Sequence, residues 1–352
     1  MIIFGGFILV LIAGVMAGSA LAPIKFVRQY RFENYWLING LTGTVVIPWV
    51  LALAVTPHLF DIYSQLSWCT LLLPPAFAFS WGIASMLGGL CVSHIGLSLS
   101  YALIIGIGAS AGSLVPLLYF SPQTLSQPAG HYILLGIGLM LLGLLLVTLA
   151  GREKESKMSA STVLADDRTS VKEEARQSYI TWVFVAALAG ILSAGLNFSF
   201  AFGQDVASAA RAAGASAATA TYSVWALAML GGMVPNLAYP ATLCFRNHSW
   251  QLFASSSAKD LVLSILLGVL FMGSTVVYGF GAVKLGVLGT SVGWGIMQIM
   301  QIVVGNASGF ITGEWKLAGD KSIRLLLAGI LILVAASVVM AYGNYIQTAP
   351  NS

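Results

Sequence analysis

MIIFGGFILVLIAGVMAGSALAPIKFVRQYRFENYW, residues 1–36, decides the class of this chain. Nineteen mostly apolar residues run without a single charge, and Lys25, Arg28, Arg31 and Glu33 then crowd into nine positions just past Pro23. About 20 apolar residues are what a helix needs to cross a bilayer, and basic residues collect on the cytoplasmic side of such helices. The apolar run has no basic leader and is too long for the h-region of a cleaved signal peptide, so it is expected to stay as a helix. The charges that follow hold the first hairpin in the cytoplasm.

The whole chain repeats this grammar. Of 352 residues, 58% are hydrophobic and 8% charged, which excludes a globule with an ordinary polar surface. The net charge of +4 is spread thinly between apolar runs, which fits topology signals and no nucleic-acid partner. Cys69, Cys91 and Cys244 lie in or beside apolar runs without a CxxC pair, so neither a disulfide framework nor a metal site is expected, and no cofactor.

Ten stretches are long enough to span, near 2–23, 35–57, 69–93, 98–119, 131–150, 180–203, 219–245, 260–281, 286–312 and 324–346. With the N-terminus outside, 14 of the 16 Lys and Arg fall in one set of loops, and only Arg211 and Lys284 in the other. Both termini are therefore expected to be periplasmic. Residues 151–179 hold six basic and six acidic residues with no apolar stripe, and read as a cytoplasmic linker. It separates a first unit, 1–150, from a second, 180–352.

The two units resemble each other. AGVMAGSAL at 13–21 aligns with AGILSAGLN at 189–197, and LLGIGLMLLGLLLV at 134–147 with LLAGILILVAASVV at 326–339. Five spans per copy is an odd number, so the second copy must be inverted. Inverted repeats place a substrate near the bilayer midplane between the halves of a secondary transporter.

Polar side chains in hydrocarbon are costly unless they face a partner or a cavity. Ser291, Trp294, Gln298 and Gln301 share one face of span 9, and Ser193, Asn197, Phe200 and Gln204 one face of span 6. Amides beside aromatic rings suit a neutral polyhydroxylated ligand, and Trp81, Ser85 and Tyr101 extend such a lining. Helix-to-helix hydrogen bonding is the alternative for any one of them. No Asp or Glu lies mid-span, and no nucleophile with a base or pair of carboxylates is placed for catalysis, so an enzyme is not expected. GIGASAG at 106–112 lies inside span 4 with no strand before it, and reads as a helix-packing row, not a phosphate loop.

APIK (22–25), IPW (47–49), WGI (81–83), SAGLNF (193–198), the Gly231–Gly232 pair with Asn236, the Trp294 face and GEW (313–315) together resemble the L-rhamnose/proton symporter family of bacterial inner membranes. The likeness runs over nearly all ten spans. It implies the ten-helix inverted-repeat fold of the drug/metabolite transporter superfamily and uptake of L-rhamnose with a proton; a transporter of another small solute is the alternative. Lys25 and Glu33 match the family pattern, whereas Thr290, Ser291 and Gln298 stand where that pattern has an aspartate and a histidine. With no deep acid, Glu33, Lys25 and Asp205 are the coupling candidates. The partners implied are a sugar, a proton and the lipid bilayer.

Overall fold

The computed structural model describes residues 2–160, 169–313, 315–316 and 318–348. Glu314 of the GEW motif and the middle of the expected linker, 161–168, lie outside the described residues. Among those described, the chain is helical throughout with no strand. In order, the helices are α1 (Ile2–Ser19), α2 (Phe32–Gly40), α3 (Ile47–Val55), α4 (Leu59–Gln65), α5 (Trp68–Ile95), α6 (Leu97–Phe120), α7 (Pro128–Ala160), α8 (Thr169–Ser193), α9 (Gly195–Ala201), α10 (Gln204–Ala212), α11 (Thr221–Arg246), α12 (Leu252–Ser255), α13 (Ala258–Leu285), α14 (Gly289–Ile311) and α15 (Asp320–Thr348). Helices dominate because an apolar solvent leaves backbone N–H and C=O groups no partner but each other.

Nine stretches among the described residues are long and apolar enough to cross a membrane. One of them, Ala258–Ile311, is 54 residues long and takes in two of the ten expected spans. Gly286, with φ 80°, turns the chain between α13 and α14. The protein is thus a multi-pass integral membrane protein of helices. α7 and α8 continue into the 151–179 region, to Ala160 and from Thr169.

Two local departures from a straight helix shape the interior. Between α2 and α3 the chain makes a π-helical turn over Leu41–Val46. Pro48 in the IPW motif explains it: its ring displaces the carbonyl four residues back, at Thr44, and it has no N–H to return. The second departure breaks the expected span 6. The helix stops at Ser193, resumes over Gly195–Ala201, and is interrupted again at Phe202 and Gly203. A Cβ on Gly195 would strike the carbonyl of Phe77 and the hydroxyl of Ser80, so glycine lets α9 press directly on α5. The single face expected for Ser193, Asn197, Phe200 and Gln204 is therefore divided among three helical pieces.

Candidate functional site

A cavity of about 530 Å³ lies among α1, α2, α5, α6, α11, α13 and α14. Its depth can be read along the helices. On α14 the lining begins at Trp294 and passes through Met297, Gln298 and Gln301. Gln301 also lines a second cavity of about 300 Å³, which continues past Asn306 and Ser308 to Lys25, Lys154 and Trp315. Tyr101, Ala17, Leu21 and Ile105 belong to both, so the two spaces adjoin. From Trp294 to Ser308 the path follows about 21 Å of helix at 1.5 Å per residue. Its lining runs from Trp294 to the basic end of the bundle.

The deep part combines flat rings with uncommitted amides. Trp81 of α5 and Phe271 of α13 stack with centroids 5.1 Å apart and planes 2° from parallel. Trp294, buried, donates its indole N–H to the Gly108 carbonyl at 3.3 Å and closes the floor. Gln298 is 9% exposed, and its side-chain amide finds no hydrogen-bond partner among the described residues. The amides of Asn39 and Gln301 likewise have none there. An amide that is buried against a cavity without a partner retains both donor and acceptor for a ligand. Asn236, by contrast, is spent on architecture: its oxygen accepts from Trp36 Nε1 at 3.3 Å and Ser85 Oγ at 3.4 Å, and its Nδ2 donates to the Gly232 carbonyl at 2.9 Å. It ties α2, α5 and α11 together at the wall.

Of the residues expected at the site, Trp81, Tyr101, Trp294, Gln298 and Gln301 line the cavity. Asn197, Phe200, Gln204 and Ser291 do not. Asn197 is wholly buried and donates to the carbonyls of Gly112 at 2.7 Å and Thr290 at 2.9 Å. Phe200 stacks on Trp225 at 5.0 Å and 7°. Gln204 donates to the Phe200 carbonyl at 2.9 Å, and Ser291 is buried one turn beyond Trp294. The chain breaks around α9 account for the span 6 residues, since they rotate this face out of register with the stripe on α14.

Sequence reasoning overlooked Phe32, Tyr35, Trp36 and Asn39 of α2, although they fall at the i, i+3, i+4, i+7 spacing of one helical face. Nothing in the sequence around Phe271 marks it among so many apolar residues.

The coupling candidates are dispersed. Glu33 is 3% exposed, outside the cavity lining, and accepts from Asn247 Nδ2 at 3.0 Å and Ser249 Oγ at 2.9 Å. Lys25 lines the smaller cavity and donates to Thr312 Oγ1 at 2.8 Å. Asp205 is exposed in the first turn of α10, at the opposite end. Among the described residues no three His, Cys, Asp or Glu stand together as metal ligands.

A multi-pass helical bundle with a polar-and-aromatic cavity between its helices is the architecture of a membrane transporter. Residues 1–345 match the family described as L-rhamnose-proton symport protein, and the chain belongs to that family, one of transporters and not enzymes. Proteins named L-rhamnose-proton symporter from Salmonella typhi and Escherichia coli O1:K1 / APEC are each 26% identical over 343 residues, covering 95% of this chain and 96% of theirs. The one from Citrobacter koseri is 26% identical over 347 residues with the same coverage.

Proposed function

We propose that this protein takes up L-rhamnose together with a proton across a bacterial inner membrane, by alternating access. The observation that carries the sugar assignment is Gln298: an unpartnered amide, nine-tenths buried, on a cavity walled by the Trp81–Phe271 stack. A 6-deoxyhexose needs this combination, with amides for its hydroxyls and aromatic faces for its C–H surfaces and methyl group. Trp81, Tyr101, Trp294, Gln298 and Gln301 are the substrate-contacting residues in this reading, joined by Trp36 and Asn39. Glu33 is the first candidate for proton coupling.

The fold proposed is ten transmembrane helices in two inverted five-helix repeats, the drug/metabolite transporter fold, with residues 1–150 and 180–352 as the repeats and both termini periplasmic. A single helix of the 54 residues Ala258–Ile311 would be about 80 Å long against a hydrocarbon core of about 30 Å, which favours two crossings hinged at Gly286. Helix packing supports the repeat. α1 packs on α13 and α14, while its counterpart α8 packs on α5 and α6; α2 meets its counterpart α11, and α7 its counterpart α15. At the last of these pairs the relation is reciprocal: a Cβ on Gly143 would lie 3.0 Å from the Gly329 carbonyl oxygen, and one on Gly329 2.8 Å from that of Gly143.

The test is uptake of radiolabelled L-rhamnose into proteoliposomes with and without an imposed proton gradient. Accumulation only with the gradient is expected. Gradient-independent equilibration would remove the proton, and no uptake at all would remove the sugar.

A further inference from the structure

Directly beneath the cavity floor lies a polar knot that joins four helices. Tyr278 of α13 donates its hydroxyl to the side-chain oxygen of Asn197 on α9, and the same hydroxyl lies 3.2 Å from the Thr290 carbonyl at the start of α14. Asn197 Nδ2 meets that carbonyl at 2.9 Å and the Gly112 carbonyl of α6 at 2.7 Å. Both side chains are fully buried. An aromatic layer packs around the knot: Phe200 on Trp225, Tyr278 edge-on to Phe200 at 5.7 Å, and Tyr278 against Trp294 at 5.6 Å. Trp294 is thus shared, with the cavity on one side and the knot on the other. Asn197, Phe200, Trp225, Tyr278 and Trp294 are all buried in this layer, whereas at the opposite end the lining runs on to Lys25 and Lys154.

A second, independent observation comes from the atoms beyond the floor. The hydroxyls of Ser110 and Ser113 on α6 and the indole N–H of Trp225 on α11 are buried with no hydrogen-bond partner among the described residues. A buried polar group left unpaired costs its desolvation, and native structures hold few of them without a reason. Trp225 stacks on Phe200 within that layer, and Ser110 and Ser113 flank Gly112, whose carbonyl takes the Asn197 amide, so their unpaired groups have a reason if this region is wet in another conformation.

We infer that Asn197 and Tyr278 form the latch of the outer gate, acting as positioning residues that hold α6, α9, α13 and α14 together beneath the sugar, rather than as sugar ligands. Opening to the far side breaks the knot, wets Ser110, Ser113 and Trp225, and frees Trp294 to move from the floor. The short α9, set off by turns at Ala194 and at Phe202–Gly203, is the piece that moves when the knot opens. Weakening the latch shifts the population toward the outward-open state without touching the sugar's own contacts.

This inference rests on the transport reading, but its test does not require sugar. Ser113→Cys is introduced into a chain carrying Cys69→Ser, leaving only the buried Cys91 and Cys244 as native thiols. Membrane vesicles are treated with an impermeant thiol reagent from the face opposite Lys25 and Lys154. Labelling at position 113 is expected to be slow in this background and at least tenfold faster when Asn197→Ala or Tyr278→Phe is added. Tyr278→Phe keeps the ring packing and removes one hydroxyl, so it decides the matter if Asn197→Ala fails to fold. Unchanged labelling with Tyr278→Phe would overturn the latch. So would faster labelling from the Lys25 face alone. Radiolabelled L-rhamnose binding, run in parallel, reads the sugar assignment separately: retained affinity in Tyr278→Phe with faster labelling is the latch's signature, and lost affinity with unchanged labelling makes Asn197 and Tyr278 part of a sugar site instead.

Discussion

Trp81 and Phe271 face each other as a parallel pair, 5.1 Å between centroids and 2° between planes, one from each half of the chain. Offset stacking of this kind is favourable in itself, but here its exposed edge borders a cavity that also holds free amides. Trp81→Ala is expected to weaken L-rhamnose binding by about 1–2 kcal/mol through loss of stacking surface, with Trp81→Phe retaining most of it. Equilibrium binding to purified protein checks this, and equal affinity in Trp81→Ala would remove the ring from the site.

Gln298 and Ser291 sit on the same helix, yet the first faces the cavity and the second is packed one turn beyond the floor. Gln298→Ala is expected to cost about 1–3 kcal/mol of sugar affinity, the range for a buried hydrogen bond lost to a ligand, while Ser291→Ala changes it by less than about 0.5 kcal/mol. The contrast matters more than either value, since it separates a lining residue from a neighbour in the stripe. If the two variants bind alike, α14 contributes packing only.

That stripe shows how far the sequence could be read. On α14 a continuous helix keeps the 3.6-residue period, so Trp294, Gln298 and Gln301 reach the cavity together as their spacing implies. In the expected span 6 the same spacing fails, because breaks at Ala194 and Phe202–Gly203 shift the phase between Ser193, Asn197 and Gln204. Gly195 was the available signal, though close packing against α5 cannot be told from composition in a chain with 38 glycines. The membrane class was legible from hydropathy because a bilayer admits few architectures. The contribution of α2 was legible in principle, at Tyr35, Trp36 and Asn39, and Pro48 announced the π turn that precedes it.

Asp260 is buried at the start of α13 and accepts three backbone N–H groups, from Arg28 at 3.2 Å, Gln29 at 2.6 Å and Tyr30 at 3.0 Å. It fastens the basic loop after α1 to the second half. Asp260→Asn turns part of the acceptor into a donor facing those N–H groups, and is expected to destabilise the protein by about 2 kcal/mol or more, read as thermal unfolding in detergent. Tyr30 reports on the same contact: burial first, then the Asp260 charge, raise its phenol above the ordinary value. Because the folded-state value lies above the unfolded one, the stability Tyr30 contributes is present below about pH 10 and is lost as pH rises through the raised value. In alkaline difference spectra against Tyr30→Phe, its phenolate should appear later than that of free tyrosine, and earlier once Asp260→Asn removes the charge.

Topology gives a sided prediction. Cys69 is exposed at the start of α5, next to a loop expected outside, and Ser161 lies in the loop expected inside. An impermeant thiol reagent applied to intact spheroplasts should label Cys69 and leave a thiol introduced by Ser161→Cys untouched until the membrane is permeabilised. The reverse pattern would invert the protein.

Coupling is the step for which the sequence offers fewest groups, and the structure narrows it further. Glu33 is buried, yet its oxygen is held by Asn247 and Ser249 and not by anything bordering the cavity. It stands at the start of α2, whose Tyr35, Trp36 and Asn39 do line the cavity, so a change in its charge is transmitted along one rigid helix. Both hydrogen bonds fall on one oxygen, Oε1, which accepts them whether or not the other oxygen carries a proton, so what titration changes is the charge at the start of α2. Glu33→Gln keeps an amide oxygen for Ser249 and Asn247, so the fold is retained and only the titration is removed. Sugar exchange down its own gradient is therefore expected to proceed at close to the parent rate, while accumulation driven by a proton gradient disappears. Counterflow and gradient-driven uptake in the same proteoliposomes measure the two separately. Full accumulation in Glu33→Gln would clear this residue and leave Asp260, whose carboxylate fastens the same loop from the other side, as the next group to neutralise.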